Sequence, residues 1–158
     1  MKIKNIFLIA TLLIYMACSD DNVDTEPPEI EIVKPIEYDS VIKGDTLFVE
    51  ANVWDNEYLN SWKIDIHDNF DGHTHKNGSL KNSDQNIDEA ENDELIAWNL
   101  ILEDSFPKDK SKYQIKKQIK VPENAEEGEY HLGVFASDKW GNVNQVFISF
   151  YIISKSDD

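Results

Sequence analysis

The chain has 158 residues, and 41% of them are hydrophobic, which suits one domain with a buried core of its own. Acidic residues number 31 against 15 basic ones, all lysine, and the net charge of −16 excludes a nucleic-acid partner because phosphates would be repelled. The only cysteine, Cys18, excludes an intramolecular disulfide and leaves a zinc–thiolate cluster or a cysteine protease without supporting residues.

The N-terminal segment has the residue order of a bacterial signal sequence. Lys2 and Lys4 precede an apolar run over residues 6–16, which is too short to span a bilayer, and a small residue and Cys18 follow it. This order resembles a lipobox. We therefore predict a lipoprotein signal peptide over residues 1–17 and a lipid on Cys18, whose acyl chains would anchor the protein to a membrane. Loss of the two lysines would change the net charge to −18.

A polar, acid-rich segment over residues 18–28 follows the cysteine and contains too few apolar residues to fold. It is predicted to be a flexible tether, and residues 29–154 to be the folded domain. An acidic stretch directly after a lipidated cysteine resembles the surface-export signals of Bacteroidetes lipoproteins. That resemblance implies an outer-membrane lipoprotein that is exposed on the cell surface.

Beyond the tether, apolar residues recur with a period of two, which is typical of strands. No stretch of ten residues shows a helical period. The number and spacing of the apolar segments predict an antiparallel β-sandwich of immunoglobulin type, and residues 128–142 resemble the last hairpin of bacterial immunoglobulin-like domains. About seven strands are predicted, lettered A to G, around residues 30–33, 47–53, 62–66, 95–102, 113–121, 130–136 and 146–152.

One predicted connection is unusually long. Roughly 25 residues separate strand C, which ends near His67, from the strand that opens near Glu94, so the prediction is an immunoglobulin-like sandwich with a long C–D insertion. Connections of this length are usually functional or disordered. Residues 82–91 of the insertion are predicted to be solvated and mobile, whereas its first half carries most of the histidines.

The segment from His67 to His75 reads H-D-N-F-D-G-H-T-H. Together with the lipobox and the predicted strands, it resembles an uncharacterised family of Bacteroidetes surface lipoproteins, a domain of unknown function whose members carry an I-H-x-N-F-D-G-H-x-H run. The resemblance covers most of the chain after the signal peptide. It implies an immunoglobulin-like fold and a surface location but no activity.

The Asp71-Gly72 pair predicts a turn. If residues 70–72 form a three-residue loop with Gly72 in the left-handed conformation, a glycine-bulged hairpin pairs His67 with His75. Their Cβ atoms would then lie about 4.5–5.5 Å apart, close enough to share a metal ion. A loop of two or four residues would move His75 to the opposite face.

The fourth histidine, His131, alternates with the inward Tyr130 and Leu132 and therefore faces away from the core. In an immunoglobulin-like sandwich the start of strand F lies beside the end of strand C, so His131 should approach His67. We predict a divalent transition-metal site, for example for zinc, on His67, His75 and His131, with His73, Asp71 and Asp65 as further ligands. The competing interpretation is that these side chains are simply solvated.

The preferred function is a non-enzymatic, surface-tethered binding module whose protein or glycan ligand is not identified by its residues. One alternative is a metal-dependent hydrolase that uses the same His/Asp cluster. Another is a glycan-binding accessory lipoprotein in which Trp54, Trp98 and Trp140 line a sugar-binding face, although Trp98 is favoured as a core residue. Calcium could bind at the shared loop end of Asp55 and Asp138, but each is interpreted as a turn-forming residue.

Overall fold

The computed structural model describes residues 23–74 and 95–156. The predicted signal peptide, Cys18, His75 and residues 82–91 lie outside these ranges. Within them, no helix is long and apolar enough to cross a membrane. The described residues form eight strands: β1 (Glu29–Lys34), β2 (Asp39–Ile42), β3 (Thr46–Trp54), β4 (Leu59–Asp68), β5 (Leu100–Ser105), β6 (Lys112–Lys120), β7 (Gly128–Asp138) and β8 (Val143–Ile153).

The strands form two sheets, one with the order β1-β3-β6 and the other with the order β2-β8-β7-β4-β5. Paired neighbours are antiparallel except β2 and β8, which run parallel. Inward-facing residues of both sheets share one hydrophobic core. The predicted all-β sandwich is therefore confirmed, with eight strands where about seven were predicted.

Two strands differ from the sequence prediction. Strand β2 was not predicted because it has only four residues, two of them exposed, and is formed by pairing with β8. The strand after the insertion begins at Leu100 rather than near residue 95, because Ile96 makes an isolated bridge to Ala125 instead. It pairs with β4 at the sheet edge, so it is strand C′ in immunoglobulin lettering and the insertion lies between C and C′ rather than between C and D.

A buried tyrosine closes one end of the core. Tyr130, near the start of β7, donates a hydrogen bond from its hydroxyl to the backbone carbonyl of Glu126 at 2.8 Å and accepts one from the backbone N–H of Trp98 at 3.3 Å. A tyrosine at this point of strand F that bonds back to the upstream backbone is a feature of immunoglobulin-like domains. Trp98 is only 6% exposed, which confirms its predicted place in the core.

The central strands β4 and β7 determine where polar side chains meet. Their antiparallel register places His67 opposite His131 at one end and Leu59 opposite Asp138 at the other. On the outer face between them, Gly133 leaves room for the ring of Phe147, which a Cβ atom at position 133 would contact. Each end of this strand pair thus presents a separate group of side chains.

Candidate metal centre

Three histidines converge at the end of β4 and the start of β7. The register sets His67 directly beside His131, the adjacency that the topology predicted, and their rings lie 5.5 Å apart between centroids. His73 follows β4, and its ring lies 5.3 Å from that of His67 and 5.1 Å from that of His131. Although His131 is on the outer face as predicted, these neighbours cover it, and it is only 7% exposed.

The turn after β4 brings His73 into this group. Gly72 has a φ of 68°, the left-handed conformation that the Asp-Gly pair predicted, and its N–H donates to the carbonyl of Asn69 at 3.0 Å. Residues 69–74 contain no strand, however, so the predicted hairpin ladder does not form in the described part of this segment. Whether His75 joins the group lies outside the described residues.

Contacts with the start of β7 fix the orientation of the turn. The backbone N–H of Asn69 donates to the carbonyl of Glu129 at 2.9 Å, and its side-chain amide donates to Oε1 of the same residue at 2.9 Å. The ring of Phe70 packs edge-on against Tyr130 at 5.4 Å. It also fills the space over Gly128, whose φ of 147° favours glycine and where a Cβ atom would lie 2.7 Å from the phenyl ring.

Carboxylates lie behind two of the imidazoles. Oδ1 of Asp65 is 2.9 Å from Nδ1 of His67, and Oδ1 of Asp71 makes a short contact with Nδ1 of His73. Burial acts to raise the pKa of Asp65, but the hydrogen bond and charge of His67 lower it overall. Hydrogen bonds from the side chain and backbone of His73 likewise lower the pKa of Asp71. Both acids are therefore held in the charged form that supports an imidazole.

A third acid beside the histidines was missed by the sequence analysis. Oε1 of Glu129 lies 3.9 Å from Nε2 of His131 and accepts hydrogen bonds from Asn69 and from Ser149, the latter at 2.7 Å. Hydrogen bonds from Ser149 and Asn69 lower the pKa of Glu129. The available signal was strand alternation, since residues two apart on one strand share a face.

The ligand atoms of His67, His73 and His131 all lie within 4.8 Å of one another, a spacing that could hold one metal ion. We refer to these three residues as the histidine cluster. Of the predicted ligands, the structure brings these three together. It places the Asp65 and Asp71 carboxylates on the Nδ1 side of the imidazoles.

The sequence profile of a family described as a domain of unknown function, DUF4625, matches residues 16–153. The chain belongs to this family. No curated protein matches the chain. The DUF4625 match includes Cys18 and the whole segment from His67 to His75. It confirms the expectation of an uncharacterised domain.

Two features of this DUF4625 domain bear on the alternative functions. A groove on the outer face is lined by residues that include Ser61, Lys63 and Asp104, and none of the clustered histidines lines it. Trp98 is in the core and so cannot contribute to a sugar-binding face, whereas Trp140 is 45% exposed. The groove does not include the histidine cluster, and Trp140 follows Asp138 at the end of β7 away from His131.

Proposed function

We propose that this domain binds a divalent transition metal, with zinc as the working example, through His67, His73 and His131. The observation that carries the proposal is the convergence of three imidazoles from two neighbouring strands and one turn, with their ligand atoms within 4.8 Å of one another. Zinc is bound by imidazole nitrogens at about 2.0–2.1 Å, and three histidines are a common zinc ligand set.

The carboxylates support this assignment. Metal-bound histidines almost always have a carboxylate or carbonyl on their second ring nitrogen, which fixes the tautomer and makes the imidazole a better ligand. Asp65 and Asp71 occupy that position at Nδ1 of His67 and His73. Both histidines would then bind the metal through Nε2, and the two aspartates are assigned as positioning residues rather than ligands.

A binding module is favoured over a hydrolase by the surroundings of the cluster. A hydrolase needs a substrate cleft beside the metal, whereas the groove along Ser61 and Lys63 does not include the histidines. We further propose that the domain is held at the outer membrane by a lipid on Cys18, which lies within the family match. In that setting the domain would capture or display a metal outside the cell.

The test is calorimetric titration of the metal-stripped protein with zinc, beside three single variants: His67→Ala, His73→Ala and His131→Ala. Each variant should bind zinc at least about 100-fold more weakly, beyond the 10–100-fold that loss of a supporting partner costs. The variant His75→Ala distinguishes the two registers of the segment. It should bind more tightly than His73→Ala if the turn places His73 at the metal.

Circular dichroism of each variant checks that the sheet is retained. The proposal fails if the wild-type protein binds zinc no more tightly than the double variant of His67 and His131. If His75→Ala loses binding while His73→Ala keeps it, the metal lies on the predicted hairpin register instead.

A further inference from the structure

A second group of ligating side chains lies at the opposite end of β4 and β7. Asp24 comes from the segment before β1, Asp55 from the loop between β3 and β4, and Asp138 from the last position of β7. One carboxylate oxygen from each lies within 4.8 Å of the other two. We refer to these residues as the aspartate cluster.

Part of this cluster is explained by turn formation, as the sequence predicted. Oδ1 of Asp138 accepts hydrogen bonds from the backbone N–H groups of Trp140 and Asn142 at 2.9 and 2.8 Å, and Oδ2 accepts one from the Asn142 side chain at 2.7 Å. Oδ1 of Asp55 accepts a bond from the Glu57 N–H at 2.8 Å. These hydrogen bonds stabilise the two loops, but they do not involve every carboxylate oxygen of the cluster.

Two carboxylate oxygens of the cluster are buried with no hydrogen-bond partner among the described residues, namely Oδ2 of Asp55 and Oδ2 of Asp24. Asp55 as a whole is only 9% exposed, and Asp138 is fully buried. A buried anionic oxygen without a donor is costly, so natural structures pair such groups or bind them to metal ions.

The local charges do not neutralise the cluster. Lys139 is close enough to lower the pKa of Asp24, after the larger effects of hydrogen bonds from Glu26 and Asn56. Its ammonium group, however, is bound 2.6 Å from Oε2 of Glu57. Burial, followed by the negative charges of Asp138 and Asp24, raises the pKa of the Asp55 carboxyl despite its hydrogen bond from Glu57.

We propose that Asp24, Asp55 and Asp138 bind one calcium ion, which clamps the N-terminal segment to the loop end of the sandwich. Calcium binds oxygen ligands at 2.3–2.6 Å, so two ligands of one ion lie at most roughly 5 Å apart, and the three carboxylates already meet this limit. The cluster contains neither nitrogen nor sulfur ligands, which favours a hard cation over zinc.

The clamp would fix the direction in which the chain enters the domain. The amide of Asn142 already donates to the Asp24 carbonyl at 3.0 Å, and the amide of Asn144 donates to the Pro28 carbonyl at 2.8 Å. Asp24 lies in the predicted tether, so a calcium ion on Asp24 would shorten the free part of that tether. The domain would then lie closer to the part of the chain that precedes residue 23.

The test uses the full chain, with Asp55→Asn as the main variant and Asp39→Asn as a matched control. Asp39 is an exposed residue of β2 whose Oδ1 accepts the adjacent Ser40 N–H, a bond that asparagine retains. Calcium near 10 mM, above the roughly 10⁻⁴–10⁻³ M constants of extracellular modules, should raise the melting temperature of the wild-type protein and the control. It should not raise that of Asp55→Asn.

Two further readouts separate binding from a general loss of stability. In the absence of calcium, Asp55→Asn should melt at a higher temperature than the wild-type protein, because it removes a buried charge that repels its neighbours. A protease that cleaves on the N-terminal side of aspartate should cut the Val23–Asp24 bond at least about ten times more slowly when calcium is bound, in the wild-type protein and the control only. The proposal is overturned if calcium does not stabilise the wild-type protein, or if Asp55→Asn responds to calcium like Asp39→Asn.

Discussion

The histidine cluster and the aspartate cluster are built at opposite ends of the same two strands. His131 and Asp138 lie on β7, seven residues and roughly 23 Å apart at the rise of an extended strand. One end offers imidazole nitrogens with carboxylates behind them. The other offers carboxylate oxygens, two of which are buried without a hydrogen-bond partner among the described residues.

This comparison shows how one sheet can present two kinds of ligand. The register of β4 and β7 fixes His67 and His131, and loops or turns complete each group by adding His73 at one end and Asp24 and Asp55 at the other. Because nitrogen ligands suit zinc and carboxylate oxygens suit calcium, the two ends should differ in metal preference. The two ends should also differ in how much each contributes to the free energy of unfolding in the absence of a metal.

The largest expected effect is on stability at the aspartate end. Replacing Asp138 by alanine leaves the N–H groups of Trp140 and Asn142 without their acceptor, and we expect a loss of about 3 kcal/mol in the free energy of unfolding. Asp71→Ala at the histidine end should cost much less stability, because the Asp71 side chain is 76% exposed. Urea denaturation of both variants measures the difference. Similar losses for the two would contradict the contrast between the ends.

The next effect is on metal preference. His67→Ala should weaken zinc binding by about 100-fold and leave stabilisation by calcium unchanged. Asp55→Asn should remove stabilisation by calcium and leave zinc binding unchanged. Zinc calorimetry and calcium-dependent melting on both variants give a four-way comparison. Loss of both responses in one variant would mean that the two ends do not act independently.

A smaller effect is expected from Glu129, which holds the turn and lies near His131. Glu129→Ala removes the acceptor of the Asn69 and Ser149 side chains, so zinc affinity should fall by about tenfold, the size typical of losing a supporting partner. Glu129→Gln keeps an acceptor oxygen and should recover part of that loss. Zinc affinity unchanged in Glu129→Ala would show that the turn is held without this side chain.

Much of this fold was predictable because it depends on short-range patterns. Alternation over residues 47–53 identified the buried side of β3, and the expected topology placed His131 beside His67. Strand β2 was not predictable because its four residues carry little alternation and depend on pairing with β8.

The sites were predictable only in part, for the same physical reason. The Asp71-Gly72 pair indicated a turn, but the position of His73 depends on Asn69 and Phe70 docking onto β7, which no local pattern encodes. Asp24 belonged to a segment that composition described only as a polar tether. Asp24 lies close to Asp138 in the structure, although the two residues are far apart in the chain.

The smallest expected effect comes from the glycine of the turn. Gly72 has a φ of 68° and no atom within 4 Å of a Cβ built there, so Gly72→Ala should cost only the left-handed conformation, about 1 kcal/mol. If that strain is relieved by opening the turn, zinc affinity should fall about fivefold as His73 withdraws. Gly72→Asn should keep most of the zinc affinity of the wild-type protein, because asparagine tolerates the left-handed conformation. Calorimetry on both variants checks the order, and equal zinc affinity in Gly72→Ala and the wild-type protein would show that the turn does not limit His73. A changed calcium response in either variant would instead show that the two ends are coupled through β4 and β7.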